Sequence, residues 1–536
     1  MGNWKPKLAG LILITVWLPL AWIGLGPFRV RSVDSWTYGA SIGYARWPLD
    51  LHFPLLGAWN NADTTWAIHW PGAFILWSFA TPLLPPAAWA YTLLLTASWL
   101  LLALATAWLA RGFADNHAAN WWALAALALV LFDRALFESL LDLRGECLAA
   151  LVLTALLLGY RQVLAKDDKQ TLGAVLLVAG SFLLPLMHPV ALPLAALINL
   201  ALIGAWMRHP ARRGLLAGAL AASVAGSLAL AGWFQFHPNG WGQLFEHASM
   251  NTRSYSFGGT FLSTLNFYAP TYLPALLAAA ALAETARRFI HHWGVRTLWP
   301  ALTGDDTALL SGLLLAVSLL AQQAFHNFFY YLITLPLVVA LSLSLAAHLL
   351  AKLTARRQRL AALVLVAVLA LHGLFLPARG GLWWSAGRPD FGAMAGDFLD
   401  KLPLESGARV VLPPQLWMEA HGRFPEERLR VVAPDYGSTW ENRLAYVTDL
   451  AGRLRAGDLL ILEHPWPQKP ILGTWRRLVA DPTRAELVAE FFYLTPGTDQ
   501  HGMGLRAYRV LSPQPPADPS ADEGGGTGGA TSPARW

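Results

Sequence analysis

Long apolar segments recur along the first 378 residues of this chain, and short clusters of lysine and arginine separate them. An apolar stretch of about 20 residues is long enough to cross the hydrocarbon core of a bilayer as a helix. Hydrophobic residues make up 55% of the 536 residues and charged residues only 13%, which is not the composition of a soluble domain. The pattern predicts an α-helical polytopic membrane protein with about eleven transmembrane helices, at residues 8–26, 88–110, 119–133, 147–164, 172–188, 190–207, 214–234, 270–287, 306–325, 329–350 and 360–377.

One further apolar stretch, residues 66–84, decides the orientation of every later span. If it crossed the membrane, five successive basic clusters would lie outside the cytoplasm, against the tendency of lysine and arginine to stay in it. These clusters are Arg111, 166–169, 208–213, 287–288 and 352–359. Pro71 and Pro82 also interrupt the stretch. We therefore predict an outer-side juxtamembrane helix within a first outer loop, 27–87, of a cytoplasmic (inner) membrane protein whose N-terminus is cytoplasmic.

The composition changes after residue 378, where the predicted transmembrane module, 1–378, ends. Candidate strands lie at 408–412, 429–433, 458–463, 487–493 and 505–511. Helical stretches near 390–401, 439–455 and 473–481 lie among them, which is typical of a small α/β domain. We predict such a domain at 379–511, outside the cytoplasm, followed by a disordered tail at 512–536 that is rich in Pro, Gly, Ser and Asp.

Residues 33–47 follow the first span and predict a helix at the membrane surface, with Trp and Tyr on one face and small polar groups on the other. Asp34 lies at the start of this helix. It has two interpretations: Asp is a favoured helix N-cap, and a carboxylate in a cleft at the membrane surface is suited to be a general base. The residues alone favour neither.

Polar groups near membrane spans are costly to bury and are therefore candidates for function. For most loop charges, ordinary solvation at the interface is the simpler interpretation. Glu146 is different because apolar residues follow it directly, so its carboxylate must face protein or water. The sequence leaves open a metal ion held by Asp34 and Glu146. The histidine spacing matches no known metal-binding motif. Cys147 is the single cysteine, which excludes an intramolecular disulfide.

Four short motifs, in this order along the chain, resemble those of the GT-C glycosyltransferases, particularly the family 39 clan of protein O-mannosyltransferases and the lipid A aminoarabinose transferase. They are Asp34-Ser-Trp-Thr-Tyr38, His69-Trp-Pro-Gly72, Arg144-Gly-Glu146 and Tyr330-Tyr331 followed by Leu335-Pro336. The first is similar to the Asp-Glu-x-x-Tyr signature of that clan, with Ser35 at the second position. The third is similar to an Arg-x-Asp/Glu element at the outer end of the fourth span. The α/β domain after the last span also matches the layout of the clan.

The resemblance implies a transferase that moves a sugar from a polyprenyl-phosphate donor to a lipid, glycan or protein acceptor of the cell envelope. Asp34 would orient or deprotonate the acceptor, and Glu146 would assist or hold a divalent cation, although the need for a cation is unknown. The resemblance implies that substrate-binding residues are Tyr38, His69, Arg144, His188, His326, Tyr330 and Tyr331. Arg144, His188 and His326 would stabilise the departing phosphate, and membrane lipid would surround the spans.

Two other classes of function compete with the transferase, and nothing in the sequence points to nucleic acid. A membrane transporter or flippase would be expected to carry charged or helix-breaking residues near mid-span, in related pairs. Residues 173–188 and 309–325 offer little of that pattern. A polysaccharide-assembly protein would be favoured by a large outer loop with paired arginines.

Overall fold

A computed structural model of the chain describes residues 4–25, 71–84, 88–114, 118–141, 145–165, 170–236, 241–242, 273–325, 332–374, 377–378, 391–413, 416–431, 452–464, 479–494 and 502–512. The molecule is mostly helical over this part. In chain order its helices are α1 (Trp4–Leu25), α2 (Gly72–Ser78), α3 (Ala88–Phe113), α4 (Ala119–Leu131), α5 (Arg134–Leu141), α6 (Glu146–Leu164), α7 (Gln170–Met187), α8 (Ala191–Arg208), α9 (Arg213–Phe236), α10 (Leu273–His291), α11 (Val295–Pro300), α12 (Thr307–Phe325), α13 (Leu335–Ala351), α14 (Ala355–Gly373), α15 (Phe391–Asp400) and α16 (Trp417–His421).

Each of the predicted spans overlaps one of these helices, which confirms the prediction of a helical, multi-pass membrane protein. Among the described residues, α1, α3, α6, α8, α9 and α13 are long and apolar enough to cross a membrane by length and composition. A bent pair, Arg296–Gly304 followed by Thr307–Ala321 at 87°, adds a seventh candidate. Helix α4 and most of α7 are apolar but shorter. The total of eleven crossings therefore stays a prediction.

The stretch predicted as a juxtamembrane helix contains α2, seven residues long, followed by a 3-10 turn at Thr81–Leu83. Pro71 precedes α2 in a helical conformation, a position where its missing N–H removes no hydrogen bond. Seven residues rise only about 10 Å, whereas the hydrocarbon core is about 30 Å thick. Helix α2 is therefore too short to cross the membrane; the side on which it lies stays a prediction, and residues 66–70 lie outside the described part.

Close contacts at glycines hold α6 and α9 against α7. A Cβ added to Gly159 of α6 would lie 2.5 Å from the backbone nitrogen of Leu177 on α7. A Cβ on Gly226 of α9 would collide with the carbonyl oxygen of Phe182, also on α7. Small residues let helix backbones approach closely in membranes, where packing drives association. These contacts fix the position of α7, whose last turn contributes to the site described below.

The five predicted strands are present as one sheet in the order β2-β1-β3-β5-β4. The strands are β1 (Val410–Leu412), β2 (Leu429–Val431), β3 (Leu459–His464), β4 (Ala485–Leu494) and β5 (Gly502–Val510). Strands β2, β1 and β3 are parallel, and β5 pairs antiparallel with both β3 and β4. Phe391 and Phe398 of α15 pack on Phe491 of β4, with ring centroids 6.0 and 5.5 Å apart. The small α/β sheet is thus confirmed. Most of the helical stretches predicted at 439–455 and 473–481, and the tail beyond residue 512, lie outside the described part.

Candidate active site

Glu146 and His188 lie side by side where α6 begins and α7 ends. Glu146 is the first residue of α6 and is 3% exposed, and His188 directly follows the last residue of α7. The Nε2 atom of His188 is 3.9 Å from Oε1 of Glu146. The backbone N–H of Val190 donates to Nδ1 of His188 at 3.2 Å, so a neutral imidazole carries its proton on Nε2. The proton of the imidazole is therefore held on the nitrogen nearer the carboxylate.

Local sequence explains how the two side chains are presented. Glu146 occupies the first turn of α6, where a negative charge interacts favourably with the helix dipole. His188 lies in a tight turn in which its carbonyl accepts the backbone N–H of Ala191, at 2.8 Å, and thereby starts α8. The start of α6 and the turn after α7 thus position the two side chains.

Helix α2 packs against both of these segments. Gly72 touches the end of α7 so closely that an added Cβ would lie 2.5 Å from Sδ of Met187 and 2.8 Å from the carbonyl oxygen of Leu186. A Cβ on Gly145 would lie 3.3 Å from Cβ of Ala73. Three segments far apart in sequence, 71–73, 145–146 and 187–188, thus meet at one end of the helix bundle. Parts of the second and third motifs, at 71–72 and 145–146, come together there with the predicted binding residue His188.

Comparisons with known proteins identify the fold. No protein-family model matches the chain, and no curated protein matches it significantly. The chain superposes on the crystal structure of ArnT from Cupriavidus metallidurans bound to undecaprenyl phosphate with a TM-score of 0.54 and 14% identity, over 93% of this chain and 97% of that one. The chain has a GT-C fold.

Two further structures are similar at lower scores. Apo ArnT from the same organism gives a TM-score of 0.42 at 12% identity, over 93% of this chain and 97% of that one. The archaeal oligosaccharyltransferase AglB from Archaeoglobus fulgidus, in complex with an inhibitory peptide and a dolichol-phosphate, gives 0.48 at 13% identity, over 92% and 74%.

The GT-C fold brings together the two predicted site residues that the structure describes, Glu146 and His188. The other seven lie outside the described residues, and their place in the site stays a prediction. They are Asp34, Tyr38, His69, Arg144, His326, Tyr330 and Tyr331. In the sequence, His69 lies two residues before segment 71–73, and Arg144 directly precedes segment 145–146.

The geometry of the described residues does not assign a resident metal ion. Within the described ranges, no three His, Cys, Asp or Glu side chains come together as a metal-binding group. Glu146 and His188 offer two suitable ligand atoms, and the cation predicted between Asp34 and Glu146 would need Asp34 as well. The divalent cation therefore stays a prediction.

A buried network of charged side chains, which we call the Glu284 network, was missed by the sequence reasoning. Glu284 of α10 accepts hydrogen bonds from Arg287, Arg288 and Ser344, and Arg288 also binds Asp306 at 2.8 Å. The Ser344 hydroxyl also lies 3.4 Å from the carbonyl oxygen of Phe113, the last residue of α3. Tyr91, which lies near the site end of α3, is 22 residues away, so the network is about 33 Å from it along the helix. The network joins α3, α10, α12 and α13 and is separate from the candidate active site.

Proposed function

We propose that this chain is an integral-membrane glycosyltransferase that moves a sugar from a polyprenyl-phosphate donor to a cell-envelope acceptor on the outer face of the cytoplasmic membrane. The observation that carries the proposal is the pair of buried Glu146 and partly buried His188, where α6 and α7 meet α2 in a GT-C fold. Such a pair offers a carboxylate and a proton donor at one point. The ArnT structure with this fold contains undecaprenyl phosphate, which supports the class of donor.

The reaction is a single displacement at the anomeric carbon of the donor sugar. The oxygen or nitrogen of the acceptor forms a bond to that carbon while the carbon–oxygen bond to phosphate breaks, and polyprenyl phosphate leaves with the electron pair. The proton of the acceptor passes to a carboxylate, for which Asp34 is the candidate. Glu146 assists by orienting the acceptor or by holding His188 in place.

The leaving phosphate gains negative charge in a site of low dielectric constant, where donors placed in advance stabilise it strongly. The Nε2–H of His188 is one such donor, and Arg144 and His326 are further candidates.

The test is the loss of one modification from the envelope. Mass spectrometry of envelope glycans and lipid A, from cells with and without the protein, should reveal a sugar that disappears with it. Purified protein should then transfer that sugar from its polyprenyl-phosphate form to the identified acceptor.

His188→Asn should lower the transfer rate about 10- to 100-fold, as expected for losing a hydrogen bond to a charged group, which is worth about 1.5–3 kcal/mol. The amide oxygen of Asn can still accept the Val190 N–H, so the turn should survive while the donor near Glu146 is lost. His292→Asn, at the Glu284 network, is the matched control and should leave transfer unchanged. Equal rates in the His188→Asn and unaltered proteins would exclude His188 from the site.

The proposal also requires the C-terminal sheet to be extracytoplasmic. In a background where Cys147 is replaced by Ala, a cysteine at position 438 should react with a membrane-impermeant reagent in intact cells, and a cysteine at position 118 should be protected. The expectation follows from the five basic clusters, which agree with the positive-inside tendency only if residues 66–84 do not cross. The reverse labelling pattern would contradict this topology.

A further inference from the structure

Trp77 carries a buried hydrogen-bond donor for which the described part of the chain supplies no acceptor. Its side chain is 5% exposed, and its indole Nε1 is fully buried without a hydrogen bond among the described residues. Trp99 shows a satisfied buried indole, since its Nε1–H donates to the carbonyl oxygen of Val130 at 2.8 Å. Buried polar groups in proteins nearly always have a partner, and in lipid the need is greater because water is absent.

Trp77 lies near the candidate active site. Trp77 follows Ala73 by four residues on α2, so both lie on one face of the helix, and Ala73 is the residue packed against Gly145. One helical turn, about 5 Å, therefore separates Trp77 from the contact beside Glu146. The indole also meets the ring of Tyr91 edge-on, with ring centroids 6.0 Å apart.

We propose that the indole N–H of Trp77 binds a phosphate oxygen of the polyprenyl-phosphate substrate and so helps to position the leaving group. This inference rests on the proposed function. An indole donates and cannot accept, so its natural partner is a group that only accepts, as an ionised phosphate does. A hydrogen bond to an ionised acceptor is also about twice as strong as one to a neutral group. Because the indole is neutral and does not titrate, it contributes the same donor at any pH.

The test compares binding of undecaprenyl phosphate with binding of undecaprenol, which has the same chain without the phosphate. Full-length protein is used in nanodiscs of zwitterionic lipid. Trp77→Phe should weaken binding of undecaprenyl phosphate about tenfold and leave undecaprenol unchanged. Trp122→Phe is the matched control: its indole N–H is likewise buried without a described partner, but it lies on α4, which begins just after the end of α3 farthest from Tyr91. It should change neither affinity.

A third ligand, phosphatidylglycerol, distinguishes the substrate from an ordinary membrane phospholipid that carries the same phosphate chemistry. If Trp77→Phe weakens only phosphatidylglycerol binding, the donor serves the bilayer and the inference is wrong. Unchanged affinity for undecaprenyl phosphate in Trp77→Phe also overturns it, while leaving the proposed function intact. If the unaltered protein binds undecaprenyl phosphate no better than undecaprenol, the proposed function and the inference fail together.

Should Trp77→Phe not fold, incorporation of 3-benzothienylalanine at position 77 removes the N–H and keeps the bicyclic ring. The same tenfold loss of undecaprenyl phosphate binding is then expected, because only the donor has changed. Normal binding by this variant would show that the ring of Trp77 matters for packing and its N–H does not serve the phosphate.

Discussion

Asp34→Asn should abolish sugar transfer while the protein stays folded and inserted in the membrane. The amide has nearly the shape of the carboxylate and is itself a favoured N-cap, so helix stability should change by no more than about 1 kcal/mol. What disappears is the ability to take the proton of the acceptor. General-base catalysis contributes about 10²–10⁴-fold in rate, and this is the loss we expect.

The measurement is the steady-state rate of transfer by purified protein, with monodisperse elution and thermal stability as checks of folding. Asp50→Asn is the matched control, because it makes the same change in the same outer loop and should leave the rate unchanged. If the Asp34→Asn protein transferred sugar at the normal rate, Asp34 would be only a helix cap. The base would then have to be sought at Asp63 or Glu146.

The helices and strands could be predicted because each depends on a local pattern. Apolar runs of membrane length mark the spans, and Leu459–His464 is recognisable as a strand between turn residues. Glu146 was recognisable because a carboxylate leading into an apolar helix needs a polar neighbour. His188 proved to be such a neighbour, but its proximity depends on how α6 and α7 pack, which no local pattern reveals.

Trp77 and the Glu284 network could not be predicted for the same reason. Trp77 reads as one more aromatic residue in an apolar stretch, and only the packing of α2 shows that its N–H is buried. From the sequence alone, Arg287 and Arg288 are interpreted as a basic cluster of a cytoplasmic loop. The spacing of Glu284 to both arginines, i,i+3 and i,i+4, is a visible sign of ion pairing. Asp306, just before α12, and Ser344 on α13 are distant in the sequence and carry no such sign.

Breaking the Glu284 network should destabilise the protein strongly. Glu284 is fully buried and bonds to Nε of both Arg287 and Arg288 at 2.7 Å. Glu284→Ala would leave two guanidinium groups with Asp306 as the remaining carboxylate among the described residues, in a site where Arg288 is 14% exposed. Removing one member of a buried ion pair typically lowers the free energy of unfolding by about 3–5 kcal/mol, because the other charge stays buried. Ser344→Ala removes only a neutral hydroxyl from the same network. It should lower the free energy of unfolding by about 1 kcal/mol.

The measurement is the temperature at which each detergent-solubilised variant loses monodisperse elution. Glu490→Gln is the matched control: its carboxylate binds Nε of Arg506 at 2.6 Å, a similar distance, but Glu490 is 55% exposed. Water screens such a pair, so its loss should lower stability by no more than about 1 kcal/mol. The expected order of stability is therefore Glu490→Gln and Ser344→Ala near the unaltered protein, and Glu284→Ala far below both. If Glu284→Ala melted with the two controls, the network would not hold α3, α10, α12 and α13 together, and these helices would depend on apolar packing alone.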